Sequence, residues 1–396
     1  MTRAASPARS PLVAFGGVWF FYFASIGAFN PYAPLWFKDL GFSTLAIGAL
    51  ASLQSWTRVV APYAWGWFGD RRGHRSRLVR LAAFVSLLAA CGFLFARGYT
   101  AVAVCTALLF LANGGVVPLS EATLSSHLKT AEGIDSARYG RVRVWGSVGF
   151  IVAVVLYGGV LQVAGIGLFP WLAVLIYGLL WAATLRLPSA PDDISGHADA
   201  PPVLSVLRRP EVAWFFAAVF FTVLAHGSLY AFFSLYLDSL GYAESAVGGL
   251  WAVSVAVEIA FFWFQGRFFG RMSAHGWLMW AAGLSVLRFA AVAAFGDVPA
   301  VLVAAQLLHA VTFAAQHAAC IVLVTRYFPG PLRGRGQALY TTLGYGISGV
   351  IAGVAGGWLS THHGFPAVFW AAAAAAALSA GCVHLAARHD GHARAG

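Results

Sequence analysis

The sequence predicts an all-α integral membrane protein, with twelve transmembrane helices in two six-helix, pseudo-symmetric halves. Three observations carry that expectation. Of 396 residues, 60% are hydrophobic and only 10% are charged, where a soluble domain carries about 25% charged residues. The apolar residues fall in twelve runs, near 12–37, 43–66, 77–97, 100–126, 142–163, 167–187, 211–237, 245–266, 275–296, 299–325, 337–360 and 365–387. Each is close to the ~20 residues a helix needs to cross a bilayer, and a helix satisfies its own backbone hydrogen bonds there. The one long polar break, LPSAPDDISGHADAPPVLSVLRRP, falls mid-chain. It reads as a flexible linker over 188–210 between halves at 1–187 and 211–396.

At the start of the chain, MTRAASPARSP is a short basic tail, and no A-x-A-like cleavage site follows the first apolar run. That run is expected to be a retained helix rather than a signal peptide. The net charge of +11 would suit a nucleic-acid binder, but its placement argues otherwise. Of the 25 Lys and Arg, only Lys38 and Arg97 fall in the odd-numbered connections, and Arg58, Arg143 and Arg288 fall inside spans. The other 20 lie in the termini, the even-numbered connections and the span ends beside them. This is the positive-inside pattern, and it puts both termini and the linker in the cytoplasm of a bacterial-type inner membrane. The expected partners are the lipid bilayer, a small-molecule substrate and protons, with no nucleic acid and a monomeric chain. Cys91, Cys105, Cys320 and Cys382 lie in apolar runs without metal spacing and read as packing residues.

The halves repeat at an offset of 200, with Gly27, Leu35, Leu40, Gly41, Gly48, Leu50, Gly66 and Arg71 matching Gly227, Leu235, Leu240, Gly241, Gly248, Leu250, Gly266 and Arg271. Two parallel six-helix repeats around a midplane site are a known solution to alternating access. After the second span comes GWFGDRRGHRSRL, with Gly66, Asp70, Arg71, Gly73 and Arg75. This loop resembles the signature of the major facilitator superfamily, although His74 stands where a basic residue is usual. The resemblance implies a major facilitator fold in which the loop latches one conformation. Glycine there would permit close helix approach, and Asp70 would favour a helix N-terminus. A plain positive-inside loop is the competing reading. The second copy, GRFFGRM, has Gly270 in place of the Asp.

Few ionisable residues fall within spans: Arg58, Glu121, Arg143, His226, Glu258, Arg288, His309 and His317. Such groups cost about 2.5–3.5 kcal/mol at a bilayer centre on insertion scales, so they usually meet a partner or a watery cavity. Glu121 and Arg143, on adjacent spans, read as substrate-site residues. The repeat aligns Arg58 with Glu258, a candidate ion pair across the cavity, with packing alone as the alternative. His309, Thr312, Gln316 and His317 are spaced 0, 3, 7 and 8, one polar face of a helix. The histidines suit proton handling more than metal binding, since no third strong ligand lies beside them. His226 and Tyr230 share a face, and Trp145 and Trp251 are candidates to stack on an aromatic substrate. Glycines at 146, 149, 344, 346, 349, 353, 356 and 357 suit close packing and rocking of helices.

VVPLSEATLSSH with YGRVRVWGSVGFIVA, HGSLYAFFSLYLDSLGYAESAVGGLWAVSVAVEI and LLHAVTFAAQHAA are similar to helices of the phenylpropionate/proton symporter family. More distantly they resemble the lactose permease group. There a fourth-helix Glu and a fifth-helix Arg bind substrate, matching Glu121 and Arg143. Glu258, Arg288 and His309 match further polar positions of that group. The permease's tenth-helix Glu and Lys fall at Thr312 and Gln306, so its proton coupling does not carry over intact. Glu258 then leads as the proton carrier, with Glu121 and His309 behind it, and His317 and Arg288 as associated groups.

The function expected is proton-coupled uptake of a small organic solute such as an aromatic carboxylate, with Arg143 or Arg58 holding an anionic group. The cofactor expected is none, with the proton gradient as the energy source. A nucleoside or oligosaccharide importer and a drug or metabolite exporter are the rival transporters. A sensor would need a soluble signalling domain. An enzyme is not expected, because no nucleophile–base constellation occurs.

Overall fold

The structure is a computed structural model describing residues 11–72, 74–130, 133–188 and 203–395. Twelve helices fill it, and ten of the spans are long and apolar enough to cross a membrane. The second (Thr44–Arg72) and third (Arg75–Gly92), which carry the clustered arginines, complete the set. The first, fifth, seventh, eighth, ninth and twelfth are Pro11–Asp39, Ser136–Ala164, Pro210–Ser239, Glu244–Phe264, Ala274–Phe295 and Phe365–Ala395. The sixth, Phe169–Thr184, is the shortest of the ten. Of the expected linker, residues 189–202 lie outside the described chain, and Val203–Leu207 is a short helix.

Three helices depart from the uniform spans expected. The fourth is broken: Tyr99–Asn113 ends, Gly114 and Gly115 form a turn, and Val116–His127 restarts. Pro118 has no N–H to continue the ladder and crowds the carbonyl four residues back. The break buries both glycines against the second helix, where added Cβ atoms would meet Ala61 and the Trp65 ring. Trp65 Nε1 donates to the Leu111 carbonyl at 2.8 Å, satisfying an acceptor beside the break. The tenth helix (Pro299–Tyr327) passes through a π-helical segment at Ala310–Ala315, and the eleventh (Arg333–His363) through one at Tyr340–Ile347. Such segments insert an extra residue per turn and often mark functional sites.

The repeat is visible in backbone detail. The first and seventh helices end in the same motif, with Gly41 at φ 84° and Gly241 at φ 82°. Phe42 N–H bonds the Phe37 carbonyl at 3.2 Å, and Tyr242 N–H bonds that of Leu237 at 3.0 Å. Only glycine adopts this left-handed conformation without cost, and the motif satisfies the terminal carbonyls.

Lipid is as apolar as leucine, so helices associate here through close packing and polar contacts. The second and eleventh helices meet along glycines, since a Cβ on Gly353 would strike Ser52 and the Gly48 carbonyl, and one on Gly357 would strike Leu45. Ser52 Oγ lies 3.0 Å from the Val350 carbonyl across this seam. Tyr32 fills the notch between Gly158 and Gly248, its hydroxyl donating to the Val154 carbonyl at 2.5 Å. The halves are further joined by a Lys38–Asp238 ion pair and a Thr44–Thr361 hydroxyl contact at 2.8 Å. All these contacts gather at the end bearing residues 38–44 and 238–244. Trp36, near the end of the first helix, is buried and stacks on Phe169.

Candidate functional site

Arg288 on the ninth helix is 0% exposed, which makes it the most demanding group in the fold. Its guanidinium donates to His309 Nδ1 and Thr312 Oγ1, both at 3.0 Å, and to Gln306 Oε1 at 2.8 Å. Ser254 on the eighth helix donates to the same Gln306 oxygen. Arginine can only donate, so His309 Nδ1 must accept, and a neutral His309 carries its proton on Nε2. That atom faces Glu258 Oε2 at 3.8 Å. The three residues form a line, Arg288–His309–Glu258, in which the buried cation touches only neutral groups and meets its carboxylate through the imidazole.

The π segment divides the polar face read from the tenth helix. His309 and Thr312 share Arg288, but Gln316 turns to Cys320 Sγ at 3.2 Å, and His317 Nδ1 meets Tyr340 Oη at 3.0 Å. Tyr340 continues to Tyr345 at 3.2 Å, so the eleventh helix's π segment supplies His317's partners. Phe313 stacks between the two histidines, 4.8 Å from His309 and 6.3 Å from His317. His226 Nδ1 lies 2.9 Å from the Thr222 carbonyl and so donates to it. Its Nε2 is buried without a partner. Tyr230 stacks on Trp251 at 5.8 Å, but Trp251 is 4% exposed and works as packing between helices rather than as an open surface.

In the N-terminal half the expected pairings are not made. Glu121 accepts from Tyr139 Oη at 2.5 Å, and among the described residues no ion pair joins it to Arg143. The Arg143 guanidinium lies over the Phe23 ring at 4.5 Å and the Trp19 ring at 5.4 Å, a cation–π arrangement. Arg143 is within electrostatic range of Glu258, across the bundle. Trp145 is two residues on, about 200° round the helix, and lies half-exposed against Gly16 and Phe20, away from the other candidates. Arg58 does not reach Glu258, which is taken up by His309. Instead Arg58 is exposed and lines a cavity of about 200 Å³ with Gln54, Asn113, Phe110, Ile26 and Thr341.

Of the loop after the second helix, Gly73 lies outside the described residues. The helix carries Asp70 and Arg71 to its end, where Arg71 lies over Trp67 at 4.2 Å. His74 takes a left-handed conformation, φ 55°, before Arg75 opens the third helix. Close approach occurs at Gly69, against Leu119, and not at Gly66, which has open space. Asn113, Tyr139 and Tyr340 are polar groups the sequence reading passed over, and Gln306 entered it only as the position where the permease has its Lys. Asn113 had a signal, an amide inside an apolar run beside two glycines; the others lacked one, since tyrosine and glutamine are common near span ends.

The MFS_1 like family matches residues 12–371. The chain is a member of that family, a major facilitator transporter. Over 360 residues this transporter is 30% identical to the probable 3-phenylpropionic acid transporter of Escherichia coli, covering 89% of the chain and 92% of that protein. It is 27% identical over 372 residues to the maltose permease of Geobacillus stearothermophilus, covering 89% and 88%. In fold it is similar to the crystal structure of nucleoside transporter NupG, with a TM-score of 0.77 at 18% identity, covering 96% and 99%. The MFS_1 like chain is thus a multi-pass membrane transporter and not an enzyme.

Proposed function

We propose that this transporter takes up a small aromatic carboxylate together with protons, by alternating access in a bacterial-type inner membrane. The observation that carries this reading is the line Arg288–His309–Glu258 in one half, with Arg143 and Arg58 in the other, two cations that have no carboxylate within ion-pair distance among the described residues. Glu258 is the proton carrier in this scheme. Glu258 lies with the His309 imidazole beside it at 3.8 Å, so a change in the charge around it shifts the balance between its neutral and ionised forms. An anionic substrate arriving at the free cations weakens their pull on Glu258, so substrate and proton load together. In this scheme Glu121, Tyr230 and His226 are further substrate contacts, and His317 is an associated group in proton coupling.

The similarity to the probable 3-phenylpropionic acid transporter supports an aromatic acid as cargo. The protein works as a monomer driven by the proton gradient without a cofactor. Residues 1–187 and 211–396 move as two bodies tied by the linker, with the 66–75 loop as the latch of the opposite state. The positive-inside pattern puts both termini in the cytoplasm, so closure at the 38–44 end makes this the inward-facing form.

The test is proton movement in liposomes holding the purified protein and a trapped pH dye. 3-Phenylpropionate is added outside, beside a neutral nucleoside and a sugar, with protein-free liposomes to subtract passive acid permeation. Protein-dependent acidification by the aromatic acid alone is expected. Acidification by the neutral solutes instead would move the reading to a nucleoside or sugar importer, and silence with all three would end the uptake reading.

A further inference from the structure

We propose that the cavity at the break in the fourth helix is the carboxylate-binding subsite of the transport path, with Arg58 as its cation and Asn113 as its neutral partner. The inference rests on the aromatic-carboxylate reading and says where the charged end of the cargo is held. Asn113 is 1% exposed, lines the cavity, and its Oδ1 has no hydrogen-bond partner. A buried carboxamide oxygen without a partner is unfavourable, and a bound group that lets the amide turn and pair would relieve it. Turned about its last torsion, the amide donates Nδ2–H to a carboxylate oxygen.

The break supplies a second element. The 12-residue half-helix Val116–His127 begins at this wall, and Gly114 and Val117 line the same cavity. A helix N-terminus carries partial positive charge, and broken transmembrane helices use it to hold anionic groups. Arg58 brings the full charge, and its fork suits bidentate contact with a carboxylate. Arg143 is the poorer candidate for this task because its guanidinium is already covered by Phe23 and Trp19. Phe110 and Ile26 provide an apolar wall for a ring. At about 200 Å³ the cavity is smaller than the ~300–1,000 Å³ of drug-sized sites, a size that suits the charged end of a small acid.

The test compares binding of 3-phenylpropionate and its uncharged analogue 3-phenylpropanamide to the purified full-length protein, near neutral pH, by calorimetry. Benzoate, hexanoate and succinate serve as further carboxylates, and melting curves verify that each variant is folded. Wild type is expected to prefer the acid over the amide. Arg58→Gln should cut acid affinity about 10–100-fold and leave the amide unchanged, Arg58→Lys should keep part of the preference, and Asn113→Asp should reverse it. Folded Arg58→Gln and Asn113→Asp proteins that retain the wild-type acid-to-amide ratio would overturn the subsite while leaving aromatic-acid uptake intact. If wild type ignores 3-phenylpropionate but binds another carboxylate through Arg58, the subsite stands and the choice of cargo fails. If no carboxylate binds, both fall.

Discussion

Glu258 and Arg288 are held at opposite ends of one imidazole, and that single residue decides how their charges communicate. While Arg288 donates to His309 Nδ1, the ring cannot take a second proton without losing the contact. In the proposed scheme the proton is therefore carried on Glu258, with His309 as the relay that orients it. Glu258→Gln should preserve exchange of substrate across the membrane and abolish proton-driven accumulation; undiminished accumulation would shift the proton to Glu121 or a histidine. His309→Gln, which can accept from Arg288 and still present an N–H toward Glu258, should keep proton-linked uptake within about tenfold of wild type, whereas His309→Leu removes an acceptor from a buried cation and should cost several kcal/mol of stability. Exchange without accumulation in the Gln variant would show that His309 itself carries the proton. Both measurements are counterflow against driven uptake in the same liposomes.

Breaks and π segments decide which side chains face the transport path. The fourth helix is interrupted because Gly114, Gly115 and Pro118 withdraw propensity and an N–H, and the second helix completes the break with Trp65. Trp65→Phe keeps most of the ring packing but leaves the Leu111 carbonyl without this donor, a loss of about 0.5–1.5 kcal/mol for one hydrogen bond at an exposed site. A lower melting temperature in detergent is the expected readout, and an unchanged one would mean that water already serves that carbonyl. In the tenth helix an ideal 3.6-residue period puts His309 and His317 on one stripe. The π segment at Ala310–Ala315 rotates the second half, so that one histidine serves Arg288 and the other Tyr340.

The closed end joins the whole molecule through contacts of unequal weight. Lys38–Asp238 is a half-exposed pair, and such pairs contribute roughly 0.2–1 kcal/mol, at most about fivefold in a conformational equilibrium. The glycine seam matters more, because a Cβ at Gly353 has only backbone and Ser52 to displace. Lys38→Asp should therefore shift the resting equilibrium modestly and be rescued by Asp238→Lys. Gly353→Val should prevent closure, stop turnover, and make the thiol of a Tyr22→Cys variant, at a position that lines the Arg58 cavity, reactive from the 38–44 face. Unimpaired uptake by the Gly353→Val protein would show that the halves do not close along this seam.

The fold was legible in the sequence because membrane crossing is a local requirement: each span must be long, apolar and internally hydrogen-bonded. The repeat at Gly41 and Gly241 was legible for the same reason, since a left-handed turn needs its own glycine. The individual candidates Arg58, Glu121, Arg143, Glu258, Arg288 and His309 also stood out, as charges and imidazoles in apolar runs. Their pairing did not. Arg58 with Glu258 and Glu121 with Arg143 were reasonable by alignment, yet one carboxylate lies against His309 and the other against Tyr139. Which partner a side chain meets depends on how each helix is rotated about its axis, and that rotation is set by the break, the π segments and the glycine contacts. Only the packed structure resolves those choices, because they belong to pairs of helices and not to any one of them.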